Sequence, residues 1–481
     1  MKIILLFLLL ATARADLPVS GRPVPALSTF DNIMQQEMAA GGATAGVLGV
    51  MRNGRIIYLR GFGYLDDGST PLPENALLRT ASCTKPLTAA AIRQLAASGA
   101  LGALGLQRRV FNLTVDGTNN DGLLNVTPFL IAGVNQLGDD RYADITVAHL
   151  LRHAGGFNRR ASPGDPMFKS RDIAEQMGVA SPPSRHNIMR WMLGRPLFWA
   201  PGTVDVNTNG LDENTEDPYS NFGYMVLGEI VAAYSPQGGY MQHLHNQVLT
   251  PDMWVPTGEL LQGRTLPLNR NAREPLYTGG SSGQSVFDSF PFVVPEPYGR
   301  WDMDNMLAHG GIIVSAASML EFGSRYEVWY PNVGTARSAT SASGGSHTGA
   351  LTGTSSVIWP RGDADGLVIY AAFNHRKDDG NSNADEIAPL VRGRIANTLG
   401  LSLSWPTVTC DGFWVSAGSG TGGTVGRGGY HDPYRGFEKA WAQTTAGSRI
   451  RLKPGNNAWS GVLNRRMRLD APEGAARIGA Q

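Results

Sequence analysis

Cysteine is nearly absent from this chain: only Cys83 and Cys410 occur among its 481 residues. At most one disulfide can form, which excludes the small folds that depend on several disulfides. A hydrophobic content of 42% with 17% charged residues predicts a globular protein with a large apolar core. We expect two free thiols, because buried cysteines usually behave as small apolar residues. A disulfide between the two is the alternative in an exported protein.

The chain also lacks an excess of charge of either sign. It has 41 basic and 40 acidic residues, a formal net charge of +1, and no basic run of the kind that binds phosphates. Nucleic acid is therefore not an expected partner. Metal-ligand patterns are equally scarce, since His243 and His245 have no third ligand nearby in the sequence. We expect neither a metal nor a cofactor.

No apolar run is long enough to cross a bilayer, which takes about 20 residues. The apolar run at 3–10 follows Lys2 and precedes an Ala-Arg-Ala sequence at 13–15. A charged start, a short apolar segment and an Ala-x-Ala sequence are typical of a secretory signal peptide. We therefore predict a signal peptide over residues 1–15 and a secreted or periplasmic protein without a membrane span. A buried N-terminal strand is the alternative.

Lysine is scarce too, and one of only six lysines completes the motif Ser82-Cys83-Thr84-Lys85. On a helix, a serine and a lysine three residues apart share one face, with Cβ atoms about 5–6 Å apart. A hydroxyl is a poor nucleophile at neutral pH unless a neighbouring group takes its proton. A lysine can do so when burial lowers its pKa. Ser82 and Lys85 are therefore a candidate covalent catalyst at the start of a helix predicted over residues 82–99.

Strand patterns lie at both ends of residues 22–400, and helical patterns lie between them. An Asn53-Gly54 turn predicts one hairpin, and β-branched and aromatic residues predict a second. The four strands of these hairpins are residues 46–50, 55–62, 355–359 and 366–373. A closing helix is predicted at 384–399, so a sheet from both chain ends with a helical insertion gives one α+β domain. Long loops that could line a substrate cleft are residues 159–185, 200–220 and 255–300.

The C-terminal part has a different composition. Residues 416–429 are rich in glycine, serine and threonine and predict a flexible linker. Brief strand patterns make residues 430–481 similar to the first rung of a parallel β-helix. One rung cannot bury its own faces, because such folds need about three repeats. We predict a small β-rich module that docks on another surface, with glycan or cell-surface contact as a candidate role. An irregular tail is the alternative.

Two further motifs complete a pattern with the serine–lysine motif. They are Tyr219-Ser220-Asn221, before a helical pattern, and His347-Thr348-Gly349, at the start of the second hairpin. Together the three motifs resemble the signature of the serine β-lactamase and penicillin-binding-protein superfamily, in particular its class C-related serine esterase branch. Segments 145–156, 201–202 and 309–315 extend the resemblance to about residues 22–400. It implies a β-lactamase-like antiparallel sheet flanked by helices, with a helical insertion.

The resemblance also implies a role for the residues of the first two motifs. Ser82 would attack an acyl carbonyl and form an acyl-enzyme. Lys85 and Tyr219 would share the proton transfers, since a phenol of pKa about 10 needs adjacent positive charge to act as a base. Asn221 would orient Lys85 or hold a substrate amide.

The third motif departs from the family pattern. Gly349 and Ala350 would line the substrate site, and the Ala350 N–H would form an oxyanion hole with the N–H of Ser82. β-Lactamases and most transpeptidases of the superfamily have a lysine where this chain has His347, and that lysine helps hold the substrate carboxylate. Histidine is mostly neutral at pH 7, so the fixed charge is missing. The change favours ester hydrolysis and predicts a carboxylesterase.

Two alternatives stay open. The first keeps the chemistry and changes the substrate, giving a D-aminopeptidase, a DD-carboxypeptidase acting on a peptide, or a weak β-lactamase. The second is a non-catalytic binding protein with the same fold, against which the intact Ser82, Lys85 and Tyr219 argue.

Three other sequence matches are not assigned to the motifs. Tyr330-Pro331-Asn332 resembles the second motif but lies too close to His347 to form a separate element. His153 and His309 each begin a His-x-Gly sequence, but neither precedes two strong strands.

Overall fold

The computed structural model describes most of the chain. The described residues are 16–66, 68–113, 121–129, 137–249, 257–288, 292–337, 345–362, 366–377, 386–399, 403, 405, 412–417, 428, 433–472 and 474–479. The predicted signal peptide over 1–15, Cys410 and most of the predicted linker 416–429 lie outside these residues. Within the described ranges, none of the helices combines the length and the apolar character needed to span a membrane.

Ten α-helices and eighteen strands occur in the described ranges. The helices are α1 (Ser28–Gly41), α2 (Lys85–Ala97), α3 (Val147–Leu151), α4 (Ser170–Met177), α5 (Arg185–Leu193), α6 (Asn221–Tyr234), α7 (Tyr240–His243), α8 (Ala316–Arg325), α9 (Ile387–Leu399) and α10 (Phe437–Gln443). The strands are β1 (Ala45–Arg52), β2 (Arg55–Gly63), β3 (Leu78–Arg79), β4 (Phe111–Asn112), β5 (Leu124–Asn125), β6 (Leu260–Gln262), β7 (Ser282–Gln284), β8 (Val293–Pro295), β9 (Ile312–Val314), β10 (His347–Leu351), β11 (Thr354–Pro360), β12 (Val368–Phe373), β13 (Phe413–Ser416), β14 (Tyr434–Arg435), β15 (Arg449–Leu452), β16 (Gly455–Asn457), β17 (Arg468–Asp470) and β18 (Ala476–Ile478).

A five-stranded antiparallel sheet is built from both ends of the main domain, in the order β10-β11-β12-β1-β2. The turn between β1 and β2 holds Asn53 and Gly54 at φ values of 50° and 71°. These left-handed conformations are the ones that an Asn-Gly hairpin turn requires. Both predicted hairpins are therefore confirmed, and the α+β fold with a sheet from both chain ends is the fold observed.

Helices cover both faces of this sheet. On one face, Ser355 Oγ accepts a hydrogen bond from the backbone N–H of Ala388 in α9 at 3.1 Å, and α1 packs beside α9. On the other face, α8 lies so close to β1 that a Cβ on Gly49 would come within 2.7 Å of Leu320. Ser356, which alternates with Ser355, donates its Oγ–H to Thr80 O at 2.7 Å. The segment that leads to Ser82 therefore lies on the α8 face.

The helical insertion comes between β2 and β10. The insertion contains a small sheet in the order β3-β9-β6, and its strand β3 contacts β12 of the main sheet. Leu78 of β3 pairs with Val314 of β9, and the N–H of Thr80 donates to Ile312 O at 3.1 Å. Because β3 leads directly into the serine–lysine motif and β9 directly follows His309, this pairing brings two distant segments together.

The C-terminal module has its own core and parallel strands. Its two sheets have the orders β14-β13-β15-β17 and β16-β18, and every pairing within them is parallel. The module contacts the β1–β2 hairpin, where Arg55 Nη2 donates to Tyr434 OH at 2.8 Å and the Arg55 guanidinium lies 4.5 Å from the centre of the Phe413 ring. Through these contacts the module packs on the main domain.

Candidate active site

Ser82 lies in a 3₁₀ turn, Ala81–Thr84, and the helix α2 begins at Lys85. The helix predicted to start near Ser82 therefore begins with a 3₁₀ turn, which continues directly into α2. Pro86 fits the first turn of α2, because it has no N–H and its φ suits a helix start. Ala81 has a φ of 43°, which is strained for a residue with a Cβ. The turn leaves the Ser82 side chain partly exposed at the sheet edge.

Lys85 is fully buried and its amine has three partners. Lys85 Nζ lies 2.7 Å from Asn221 Oδ1, 3.0 Å from His309 O and 3.1 Å from Ser82 Oγ. Burial lowers the pKa of the Lys85 amine well below its usual value, because the charged form loses its hydration. A neutral amine has two N–H bonds and one lone pair. The two carbonyl acceptors can take the N–H bonds, which leaves the lone pair for the Ser82 hydroxyl.

The second motif is placed by the start of α6. Ser220 is the N-cap of this helix, and its Oγ accepts a hydrogen bond from the N–H of Gly223 at 2.9 Å. Asn221 is the first helical residue, and its Nδ2 donates to Asp165 Oδ2 at 2.6 Å. This bond fixes the amide so that Oδ1 faces Lys85. Asp165 is missing from the sequence-predicted site, and burial raises the pKa of its carboxyl.

The Tyr219 ring is surrounded by three basic side chains. The His153 ring stacks on it with centroids 4.3 Å apart, and Lys85 Nζ and the Arg159 guanidinium lie 4.6 Å and 4.8 Å from its centroid. Burial raises the pKa of the Tyr219 phenol above its usual value, while its hydrogen bond with Ser82 and the charge of Arg159 lower it. The phenol is therefore protonated at neutral pH, which makes Lys85 the better candidate base.

His153 is held in one neutral tautomer. Its Nδ1 accepts a hydrogen bond from the N–H of Ser220 at 2.9 Å, so its Nε2 carries the proton and donates to Tyr330 OH at 2.5 Å. Burial, and then the charge of Lys85, lower the pKa of His153 well below its usual value. His153 therefore packs against one face of the Tyr219 ring, and Tyr330 contacts His153. The sequence analysis assigned neither residue to the motifs.

The third motif forms the edge strand β10. Gly349 lies so close to the nucleophile turn that a Cβ would come 2.3 Å from Thr80 O and 3.0 Å from Ser82 N. Ala350 follows in the same strand. His347 is buried, and its Nδ1–H donates to Thr348 O at 2.9 Å. Burial lowers the pKa of His347 to about 3, so the ring is neutral.

Cys83 adjoins the nucleophile but faces inward. It is a free, fully buried thiol, as predicted, and its Sγ lies 3.3 Å from both His347 O and Ser356 Oγ. Burial raises the pKa of the thiol to about 11. Cys83 therefore packs under β10 as an unreactive neighbour of Ser82.

A cavity of about 100 Å³ lies beside Tyr219 and Asn221, which form part of its wall. Arg159 and Asp165 contribute its polar wall. Its apolar wall includes Phe157, Met192, Leu197, Phe198 and Phe222. Residues of the predicted loops 159–185 and 200–220 line this cavity, and no described residue of the third predicted loop, 255–300, does.

The structure brings the seven sequence-predicted residues into one region, with Ser82, Lys85 and Asn221 in direct contact and Gly349 against the nucleophile turn. Sequence reasoning missed Asp165, Arg159 and the packing role of His153. Only His153 had a signal, its place in the family-like segment 145–156. Across the described residues, no group of three or more His, Cys, Asp or Glu side chains could hold a metal.

The fold and the serine–lysine pair define a serine hydrolase of the β-lactamase-like class. Residues 30–392 match the family model described as Beta-lactamase, and the chain therefore belongs to the Beta-lactamase family.

Relatives of this family differ in the activities that their names state. Esterase EstB of Burkholderia gladioli is 26% identical over 178 residues, which cover 37% of this chain and 39% of that relative. The match thus spans well under two thirds of the curated relative. D-amino acid amidase from Ochrobactrum anthropi SV3, in complex with D-phenylalanine, is 16% identical with a TM-score of 0.47 over 78% of this chain and 99% of that one. An octameric penicillin-binding protein homologue from Pyrococcus abyssi is 17% identical with a TM-score of 0.46 over 78% and 77%.

Proposed function

We propose that this serine hydrolase is a carboxylesterase that forms an acyl-enzyme on Ser82. The observation that carries the proposal is the environment of Lys85. Its amine is buried, lies 3.1 Å from Ser82 Oγ and has two other acceptors for its N–H bonds. An amine so placed can take the hydroxyl proton at neutral pH.

Acylation would then proceed through three proton transfers. The Ser82 Oγ–H proton moves to Lys85 Nζ as Oγ attacks the ester carbonyl carbon. The oxygen of the tetrahedral intermediate would be held by the N–H groups of Ser82 and Ala350, and one such donor is typically worth about 10²–10³ in kcat. The Tyr219 phenol, hydrogen-bonded to Ser82, donates its proton to the leaving alkoxide oxygen and recovers one from Lys85.

Deacylation would use the same groups in reverse. Water attacks the acyl carbonyl carbon, its proton passes to Lys85 Nζ, and Ser82 Oγ leaves with a proton returned through the same contact. Asn221 holds Lys85 in place throughout, because its amide is fixed by Asp165. No cofactor enters either step.

The preference for esters over β-lactams rests on the charge at the third motif. His347 is buried, and its low pKa keeps it neutral. It cannot supply the fixed positive charge that a lysine at this position would offer to the carboxylate of a β-lactam. The partial match to an esterase supports the same choice. The signal-like segment 1–15 would place the activity outside the cytoplasm.

The test compares hydrolysis of p-nitrophenyl butyrate with that of a chromogenic cephalosporin. Wild type should hydrolyse the ester, and Ser82→Ala should lose at least about 10³-fold in kcat, as expected for removal of a covalent nucleophile. Ser460→Ala, which removes an exposed hydroxyl in the C-terminal module, is the matched control and should leave kcat unchanged. Mass spectrometry of the quenched reaction should place the butyryl group on Ser82.

Three results would contradict the proposal. Ester hydrolysis that persists in Ser82→Ala would remove the acyl-enzyme mechanism. Cephalosporin cleavage faster than ester cleavage would make the protein a β-lactamase instead, and inactivity toward both would favour the peptidase or binding-protein alternative.

A further inference from the structure

The catalytic groups of this site carry no exposed positive charge. His347 and His153 are buried and neutral, and Lys85 is fully buried with its pKa lowered. A substrate that bears an anion must therefore find its partner elsewhere on the wall of the site.

Arg159 is the basic side chain on the wall of the cavity beside Tyr219 and Asn221. Its side chain is 37% exposed, and its Nε donates to Asp217 Oδ2 at 2.6 Å. Within the part of the chain that the structure describes, its two terminal nitrogens, Nη1 and Nη2, have no hydrogen-bond partner. They form a free pair of donors with the fork geometry that matches a carboxylate.

The loop that carries Arg159 is fixed to the second motif. The backbone N–H of Arg159 donates to Asp217 O at 3.0 Å. Asn158 Nδ2 donates to Thr215 O at 2.8 Å, and Asn158 Oδ1 accepts from the N–H groups of Arg160 and Asp217, each at 3.0 Å. These bonds hold the guanidinium in position before a substrate binds, 4.8 Å from the centre of the Tyr219 ring. A preorganised donor pair loses little side-chain freedom when it binds an anion.

Two carboxylates lie near this guanidinium and could oppose an anion. Asp217 forms ion pairs with both Arg159 and Arg160, so the three side chains together keep one net positive charge. Asp165 lines the cavity, but its oxygens accept hydrogen bonds from Asn221 Nδ2 and the N–H of Met167 at 2.6 Å and 3.0 Å. Among the described residues, the free charged donors at this wall are those of Arg159.

We propose that Arg159 determines substrate specificity by binding a carboxylate on the acyl chain, so that half-esters of dicarboxylic acids are the preferred substrates. The carboxylate would accept hydrogen bonds from Nη1 and Nη2, while the methylene chain packs on the apolar wall of the cavity. This inference rests on the proposed esterase function and names its substrate class.

The test uses three ethyl esters of similar length: monoethyl adipate, ethyl hexanoate and ethyl 6-aminohexanoate, with turnover followed by pH-stat. Wild type should have the highest kcat/KM for the adipate half-ester. In Arg159→Gln the ratio of kcat/KM for the half-ester to that for ethyl hexanoate should fall about tenfold, mainly through KM, as expected for loss of a charge-assisted hydrogen bond. Arg159→Lys keeps the positive charge but lacks the two parallel donors, so its kcat/KM ratio should lie between those of wild type and Arg159→Gln. Lys439→Gln removes an exposed positive charge in the C-terminal module, away from the cavity wall, and should leave the ratio unchanged.

A second measurement separates this inference from the esterase proposal. Adipate should bind to Ser82→Ala in calorimetry and fail to bind to the double variant Ser82→Ala/Arg159→Gln. If no ester is hydrolysed while this difference in binding holds, the esterase proposal fails and the anion site stands. The inference is overturned if Arg159→Gln leaves the ester ratio unchanged, if the amino ester is the best substrate, or if both proteins bind adipate equally.

Discussion

Gly349→Ala tests whether β10 sets the position of the nucleophile. A Cβ at this position would lie 2.3 Å from Thr80 O, 2.4 Å from Ser356 Oγ and 3.0 Å from Ser82 N. An ordinary contact between carbon and oxygen is about 3.3–3.6 Å, so relief of the clash needs a shift of about 1 Å. The Ser356 hydroxyl can rotate, but it then loses its 2.7 Å bond to Thr80 O. The Thr80 carbonyl is backbone, so the strand or the nucleophile turn must move.

We expect this substitution to change both the free energy of unfolding and kcat. Overpacking a tightly packed position typically costs about 1–3 kcal/mol in the free energy of unfolding. A shift of about 1 Å between the strand and Ser82 should lower kcat by about 10²-fold, because the nucleophile and the proposed oxyanion donors lose their alignment. Urea unfolding measures the first effect, and p-nitrophenyl butyrate turnover measures the second.

Gly393→Ala is the matched control. This glycine lies in α9 with open space where a Cβ would be placed. Alanine there should raise the free energy of unfolding by about 0.5–1 kcal/mol through its helix propensity and leave kcat unchanged. A Gly349→Ala protein that keeps wild-type stability and a kcat within about threefold of wild type would refute the reasoning.

Two other predictions follow from buried groups. The pKa of Lys85 is lowered by burial, and the neutral amine is the proposed base. The kcat/KM of wild type should therefore rise with pH through a pKa well below 10.5 and then stay level. A profile that still rises near pH 10 would contradict this. His153→Phe keeps a ring against Tyr219 but leaves the N–H of Ser220 without its acceptor, so urea unfolding should show a loss of about 1–3 kcal/mol. Unchanged stability would count against the assigned tautomer and its bond to Ser220.

Much of the fold follows from local signals in the sequence. The Asn53-Gly54 turn and the β-branched runs at 355–359 and 366–373 specify hairpins, because turn geometry and side-chain alternation act over a few residues. The sequence predicted the helix that starts near Ser82 but not that its first turn is 3₁₀, since the spacing of Ser82 and Lys85 suits either an α-helical or a 3₁₀ turn. The strand just before that turn, β3, pairs with the distant β9, and such a long-range contact leaves no local pattern.

The same distinction explains which site residues were found. Ser82, Lys85, Tyr219 and Gly349 belong to short motifs with recognisable spacing. Asp165 acts through one hydrogen bond to a residue 56 positions away. Its role depends on how the loop folds, and a loop rich in glycine and proline has no periodicity from which that could be derived.

Residues 153–165 therefore have a larger part in this site than their irregular sequence suggests. His153 supports one face of the Tyr219 ring, Arg159 lies beside the same ring, and Asp165 fixes the amide of Asn221. All three contacts act on the second motif, whereas Ser82 and β10 are held by the main sheet. Lys85, His153 and His347 are buried with lowered pKa values, and the exposed charge lies on the loop. Changes in this loop could therefore alter which acyl groups bind while the serine–lysine pair stays as it is.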